Sequence, residues 1–377
     1  MEMRAAVLRG FGAPMKVETI EVDDPGPGEV RVRIAASGVC GSDLKAIDGH
    51  SPVVRHLPAV LGHESAGVVD AVGPDVTSVR PGDHVIIAMN GPCGRCPACR
   101  IGRFALCAGP ARVAAIQGLT ADGGTRLHAG GAAVRPFIGI GAFAEYAVVT
   151  EPMCVTTDPS DALDLVCLLA CGVVTGVGAV LNAAQVEPGS SVLVVGCGGV
   201  GLNAVQGAAI AGATTIIAAD VVGAKLDLAV RFGATHTIRA DAAPLADQVA
   251  GILRGSTDHA PGGVDYAFDA TGRSAVLADA FAATRTGGTT VMVGSPPADD
   301  EIRLNPQLLF ASRRLLGTQG GNAVPARDLP MLAALHRNGR LNLTDLATEH
   351  LPLDAVNEAV HHVRAGTVAR SIITFDP

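Results

Sequence analysis

The chain has 377 residues, 48% of them hydrophobic and 17% charged, and a net charge of −8. That length suits two domains rather than one core, and so apolar a composition excludes a disordered chain. The acidic balance, with no dense run of Lys or Arg, argues against nucleic acid or an anionic membrane surface as partner.

The first residues lack a basic-then-apolar run and a small-residue cleavage site, so a cytoplasmic protein is expected. EVRVRIAAS (29–37), ESAGVVDAVG (64–73) and DHVIIAM (83–89) are short, Val/Ile-rich and bounded by Pro/Gly turns. They predict a small barrel or sandwich. Residues 90–136, rich in Gly, Cys, Arg and Pro, read as loop, and AFAEYAVVT (142–150) returns to strand. From about residue 161, DALDLVCLLACGVVTGVGAVLNAAQ reads as helix with a glycine interruption, too broken to span a membrane. Then strand and helix alternate from SVLVV through VDYAFDATG (264–272) and GTTVMVG (288–294). That alternation predicts a doubly wound parallel α/β domain. The tail, 325–377, offers two helical runs and a last strand, RSIITF.

GCGGVG follows the apolar run SVLVV and opens a helical run, and Asp220 ends the next apolar run. In that context the turn predicts dinucleotide binding. Gly196 and Gly198 permit the turn and close approach to a pyrophosphate. Gly199 and Val200 begin the helix whose N–H groups face the phosphates, and Gly201 permits tight helix–strand packing. Asp220 would accept the adenine-side ribose hydroxyls and repel a 2′-phosphate, so NAD is expected over NADP. Lys225 could reach the same ribose, although a solvated helix lysine would look the same.

Cys93, Cys96, Cys99 and Cys107 offer four thiolates from one short segment. Four sulfurs fill a tetrahedral zinc and leave no open position, which predicts a structural site. Arg95, Arg100 and Arg103 are interleaved with them and could offset the negative charge of such a centre. Cys40, in GVCGSD, His63, in GHE, and Cys171, in CGVVTG, suit a catalytic zinc by type. Spacing alone does not select them from nine Cys and eleven His.

GVCGSD, GHESAGVV, GPCGRCPACR with its later Cys, CGVVTGVGAV and GCGGVG occur together in an order that resembles the zinc-containing medium-chain alcohol dehydrogenases. The resemblance covers nearly the whole chain. GTRLHAGGAAVRPFIGIGAFAEY looks most like the liver-type and glutathione-dependent formaldehyde dehydrogenase branch. It implies an α/β protein with a GroES-like β-rich catalytic domain (1–172 and 316–377) and a Rossmann NAD-binding domain (173–315). It implies a cytoplasmic homodimer, joined near 301–317, with two zinc ions per subunit. Cys40, His63 and Cys171 become ligands of the catalytic zinc. Asp43 orients His63, Glu64 is a nearby carboxylate, and Ser42 contacts the substrate oxygen. Thr175 falls near the nicotinamide, Asp220 and Lys225 at the ribose, Arg273 near the adenine and Arg370 at the pyrophosphate. Met89, Phe137 and Ile138 line the substrate pocket. Cys154, Cys167 and Cys197 are expected as small buried hydrophobes.

Two positions depart from that branch. Gly41 stands where it has an Arg or His on the pyrophosphate, and Lys45 where it often has the histidine ending its proton relay. The expected reaction is hydride transfer between a small-molecule alcohol and NAD at a Lewis-acidic zinc. One alternative is a formaldehyde dehydrogenase acting on an S-hydroxymethyl thiol, for which Arg112 falls close to the position that would hold the thiol's carboxylate. The other is a non-catalytic NAD-binding protein of the same fold, which would not need a zinc with an open position.

Overall fold

The computed structural model describes residues 1–89, 91–254, 262–297 and 299–376. It divides into two compact units, Met1–Cys171 with Val324–Pro377, and Gly172–Ala323.

In the first unit, strands Glu2–Leu8, Lys16–Val22, Leu127–Ala129, Ala132–Pro136 and Ala59–Val60 close a barrel. Val7, Leu8, Ile20, Val22, Leu61, Val134 and Phe143 belong to the buried apolar cluster packed on and within it. A seven-stranded sheet runs in the order Cys154–Thr156, His84–Ile87, Glu64–Val72, Glu29–Gly38, Arg370–Thr374, Ala347–Pro352, with Tyr146–Thr150 also paired to Glu29–Gly38. Strand Glu29–Gly38 alternates as its sequence does. Val30, Val32 and Ile34 are fully buried, and each such side chain contributes about 1.5–3 kcal/mol of apolar burial. The last strand pairs antiparallel to it, with Ile372 opposite Gly38. That pairing carries Arg370 to the neighbourhood of Gly38 and Glu64.

The stretch read as loop, 90–136, contains helices Pro97–Arg100 and Pro110–Ile116 and the two barrel strands Leu127–Ala129 and Ala132–Pro136. Each is too short to show a hydrophobic period. The helix signal present is proline at the first helical position, where the missing N–H costs nothing. The break in the 163–184 helical run also differs from expectation. It falls at Cys171, whose backbone (φ −136°, ψ −79°) is not helical, so the interruption sets a metal-ligand candidate apart rather than a glycine.

The second unit holds a six-stranded sheet in the order His236–Arg239, Thr215–Asp220, Ser191–Val195, Val264–Asp269, Thr284–Met292, Arg314–Gly317. Every pairing in it is parallel, as the near-continuous apolar runs require of strands buried on both faces. Strand order reverses on either side of Ser191–Val195, the switch point where such sheets bind ligands. Residues 316–323, assigned above to the first domain, belong with this unit. Strand Arg314–Gly317 extends its sheet, and Gly178 approaches Gly321 so closely that a Cβ on Gly178 would lie 2.5 Å from the Gly321 carbonyl oxygen. Among the described residues no single helix is long and apolar enough to cross a membrane.

Candidate metal and cofactor sites

Cys40 caps the N-terminus of helix Gly41–Ile47, and Asp43, at the third helical position, turns its carboxylate back towards it. Asp43 Oδ2 accepts the Cys40 N–H at 2.9 Å, and Oδ1 accepts the Gly62 N–H at 3.0 Å. Oδ1 also lies 3.2 Å from His63 Nδ1. One fully buried carboxylate therefore fixes the backbone beside two candidate ligands and engages Nδ1 of the imidazole, leaving Nε2 for a metal. Phe137 meets the same ring edge to face at 5.1 Å.

Cys40 Sγ lies 4.0 Å from Cys171 Sγ, and the donor atoms of Cys40, His63 and Cys171 all fall within 4.8 Å of one another. Thiolates about 2.3 Å from a tetrahedral zinc would be about 3.8 Å apart, so the spacing fits the ion. The Cys171 hydrogen bond holds the Cys40 thiol well below its ordinary pKa, while Cys171 is pushed well above its own by that bond and by burial. Burial works against a charged His63, but Asp43 and Cys40 outweigh it and raise its pKa.

Glu64 and Arg370 lie near enough to this trio for their charges to act on its thiols. Arg370 Nε stands 3.2 Å from Glu64 Oε2, with both side chains buried. A Cβ on Gly38 would come within 2.7 Å of that oxygen, so glycine there clears the space for Glu64. Arg370, expected at a pyrophosphate, is thus engaged inside the catalytic unit. Ser42 is exposed, its Oγ 3.9 Å from Cys40 Sγ. Lys45 is half-buried on the same helix, where burial lowers its pKa and the Cys40 charge raises it. Met89 is half-buried. Ile138 sits in the left-handed region at φ 46°, a costly conformation for a β-branched residue and one that sequence gives no sign of.

The four cysteines 93, 96, 99 and 107 also converge within 4.8 Å, with Cys96 and Cys107 sulfurs 3.9 Å apart. Cys107 Sγ accepts N–H groups from Cys93 and Gly109. A Cβ on Gly109 would lie 2.7 Å from Cys93 Sγ. Backbone N–H groups of Cys99 and Ala108 lower the Cys96 thiol to about 6. Arg95, Arg100 and Arg103 are exposed. Arg112 is not: it is buried and donates to the carbonyls of Cys107 at 2.6 Å and Ala105 at 3.2 Å. Helix Pro110–Ile116 turns it inward, where it braces the cysteine loop.

In the second unit, helix Gly199–Ala211 begins at Gly198, and Gly196 has φ 92°. A Cβ on Gly201 would lie 1.7 Å from the Gly196 carbonyl oxygen, so no other residue fits. Asp220 Oδ2 accepts the Cys197 N–H at 2.7 Å and Oδ1 the Val222 N–H at 2.9 Å. Asp220 thus also braces the glycine turn, a role the sequence does not disclose. Asn203 and Gln206, buried on the same helix, were missed as well. Asn203 Nδ2 donates to Gly199 O and Gln206 Nε2 to Asn203 Oδ1, contacts that no motif encodes. Thr175 is buried, Lys225 half-buried, and Arg273 exposed at the start of helix Ser274–Ala282. Cys154 and Cys197 are buried thiols pushed up to about 12 by burial, and burial raises Cys167 too.

The sequence matches the alcohol dehydrogenase GroES-like domain over residues 26–159 and the zinc-binding dehydrogenase family over 199–337. It is 37% identical over 374 residues to S-(hydroxymethyl)glutathione dehydrogenase of Saccharomyces cerevisiae, covering 99% of this chain and 96% of that one. It is 36% identical to alcohol dehydrogenase class-3 of Cereibacter sphaeroides, with 100% of both chains covered. Among solved structures, an alcohol dehydrogenase zinc-binding domain protein from Burkholderia ambifaria superimposes with a TM-score of 0.93 at 37% identity, and covers 100% of both chains. Benzyl alcohol dehydrogenase from Acinetobacter calcoaceticus does so with 0.91 at 32% identity, again over 100% of both. With both domains matched in order and its relatives covered from end to end, this chain belongs to the zinc-binding, medium-chain alcohol dehydrogenase family.

Proposed function

We propose that this protein is a zinc-dependent dehydrogenase that passes a hydride between an alcohol and NAD, giving an aldehyde or ketone. The observation that carries the reading is the buried Cys40–His63–Cys171 trio. Three converging donors of zinc-binding type leave a fourth tetrahedral position for a substrate oxygen. Cys40, His63 and Cys171 would hold a zinc that would supply Lewis acidity for an alcohol oxygen, and bound NAD would supply the hydride acceptor.

The chain's own groups do the remainder. Asp43 holds His63 and Cys40 in place. Ser42, exposed beside Cys40, accepts a hydrogen bond from the alcohol hydroxyl and passes the proton outward. Lys45, its ammonium form disfavoured by burial, assists that proton loss. Glu64 and Arg370 keep a charge pair near the ligands. Met89, Phe137 and Ile138 line the substrate pocket. Gly196, Gly198, Gly199, Val200 and Gly201 cradle the pyrophosphate of NAD, Asp220 and Lys225 take its ribose, Arg273 its adenine side, and Thr175 the nicotinamide. Cys93, Cys96, Cys99 and Cys107 hold a second, structural zinc. The protein is read as a cytoplasmic homodimer. Strand Arg314–Gly317 edges its sheet, and exposed Ile302, Leu309, Phe310 and Leu316 lie in or near the segment expected to join the subunits.

The test is NADH formation from a panel of primary, secondary and aromatic alcohols, before and after zinc removal by a chelator. NADH formation that survives complete loss of zinc would sink the proposal, as would its absence with every alcohol. The names of two relatives favour a second reading, oxidation of an S-hydroxymethyl thiol. Formaldehyde turnover with and without added glutathione separates the two: a strict requirement for the thiol selects the second.

A further inference from the structure

We infer that the first unit holds a second ligand site, apart from the metal trio, that takes a small neutral aromatic molecule and, when filled, braces the four-cysteine loop. This goes beyond the proposed reaction and does not depend on it.

A cavity of about 260 Å³ lies among the cysteine loop, helix Pro110–Ile116, the barrel and strand Tyr146–Thr150. Gly91, Pro92 and Cys93 form one wall, and Leu127, Val148 and Val149 another. Two lining glycines with positive φ, Gly118 and Gly139, let the helix side close it. A Cβ on Gly139 would lie 2.8 Å from Ala115 Cβ, and one on Gly118 2.8 Å from the Pro136 carbonyl oxygen. The enclosure is therefore set by close backbone packing rather than by loose side chains. It is separate from the metal trio, since Cys40, His63 and Cys171 are absent from its lining. Pro136, Gly139 and Ile140 do line it, while the ring of Phe137 packs on His63. One short turn thus meets the trio with a side chain and the cavity with its flanks.

The lining sets the chemistry of the occupant. Arg126 Nε donates to Glu29 Oε2 at 2.7 Å, and the same oxygen accepts the Gly26 N–H at 2.8 Å. Arg112 is engaged by the carbonyls of Cys107 and Ala105. Thr125 Oγ1 donates to Val134 O at 2.7 Å, and Thr120 Oγ1 to Asp122. Arg95 also lines the cavity but is exposed to solvent. An ion entering here would lose its hydration and find the inner polar groups already matched. Ala111, Ala115, Leu119 and the two valines offer apolar surface instead. An apolar cavity of about 150 Å³ takes benzene, so this one has room for a bicyclic molecule. Because Cys93 is in the wall, an occupant touches the loop that must open before its metal can leave. A ligand bound to the closed loop alone therefore holds it closed by mass action.

Indole is the probe. The chain has no Trp, so indole emission reports binding to the zinc-loaded protein directly. Indole should bind saturably with a Kd on the order of 0.1–1 mM, as suits so few non-hydrogen atoms in an apolar pocket. Indole-3-acetate should bind at least about tenfold more weakly. Ala111→Phe and Ala115→Leu each fill the cavity, and should weaken indole about tenfold while keeping the wild-type zinc content. Cys171→Ser, which alters the trio alone, should bind indole as wild type does. In that variant, indole at about ten times its Kd should slow removal of the four-cysteine zinc by a chelator about tenfold. The inference is overturned by any of five results: no saturable binding, tighter binding of indole-3-acetate than of indole, loss of binding in Cys171→Ser, wild-type binding in both filled variants, or zinc release that indole does not slow. Each of these leaves the alcohol dehydrogenase reading standing, since none measures NADH formation.

Discussion

Replacing Asp43 with Asn changes almost no volume and tests how the zinc trio is held. The wild-type carboxylate accepts from Cys40 N at 2.9 Å and Gly62 N at 3.0 Å and stands 3.2 Å from His63 Nδ1. An amide has one accepting oxygen. If that oxygen keeps Gly62 and His63, the amide nitrogen points its hydrogens at the Cys40 N–H; if it flips, the conflict moves to Gly62 and His63. Either way one charge-assisted bond is lost, about 1.5–3 kcal/mol, and a buried N–H is left without an acceptor, about 1–3 kcal/mol more. Part of this falls on folding and part on the metal, for which loss of a partner behind a ligating histidine costs about 10–100-fold in affinity. The assay is a competition titration of bound zinc against a chromogenic chelator, with thermal unfolding of the metal-free protein in parallel. Asp43→Asn should release one zinc at lower chelator concentration and leave the four-cysteine zinc unmoved. A variant whose two ions leave together, at wild-type chelator concentration, would refute the reasoning.

Cofactor choice is expected to follow Asp220, but Asp220→Gly would also strip the acceptors from Cys197 and Val222. Asp220→Asn is the cleaner variant and should shift the NAD-to-NADP ratio of kcat/KM by about 1–3 kcal/mol towards NADP; a wild type that already prefers NADP would discard the ribose assignment. At Gly41 a Cβ meets nothing within 4 Å, so Gly41→Arg should be accommodated and lower the Kd for NAD about 3–10-fold by supplying a phosphate contact, read by NADH fluorescence; unchanged or weaker binding counts against a pyrophosphate at that helix. Burial would raise the Asp265 pKa, but the Ser191 hydroxyl and N–H and Arg285 outweigh it and hold the carboxyl below its ordinary value. Its contribution is therefore full above about pH 4 and disappears as pH falls through the lowered value. Asp265→Asn should cost about 1–2 kcal/mol at pH 7 and progressively less as pH falls through the lowered value, whereas urea denaturation curves offset equally at pH 7 and in acid would show the carboxylate's charge to be irrelevant.

What could be read in the sequence was what is local. The four cysteines lie within one short segment, so their spacing predicts their convergence, and the glycine turn lies between a strand and a helix that both show in the pattern. Cys40, His63 and Cys171 come together only through the fold, and family resemblance rather than spacing selects them. The barrel strands at 127–136 were hidden because three to five residues cannot display a period against a Gly-rich background. The Arg370–Glu64 pair needs the C-terminal strand laid beside Glu29–Gly38, and the inward turn of Arg112 needs helix Pro110–Ile116. Neither leaves a trace in composition. The left-handed backbone of Ile138 is similarly invisible, since nothing in a β-branched residue announces a positive φ.

The central claim is that Cys40, His63 and Cys171 hold the zinc at which the alcohol reacts. Zinc per subunit, measured together with the rate of NADH formation in wild type and in Cys171→Ser, tests it most directly. The account predicts two zinc ions and activity in wild type, and one zinc with activity abolished in the variant. A Cys171→Ser protein that keeps two zinc ions and the wild-type rate would contradict it.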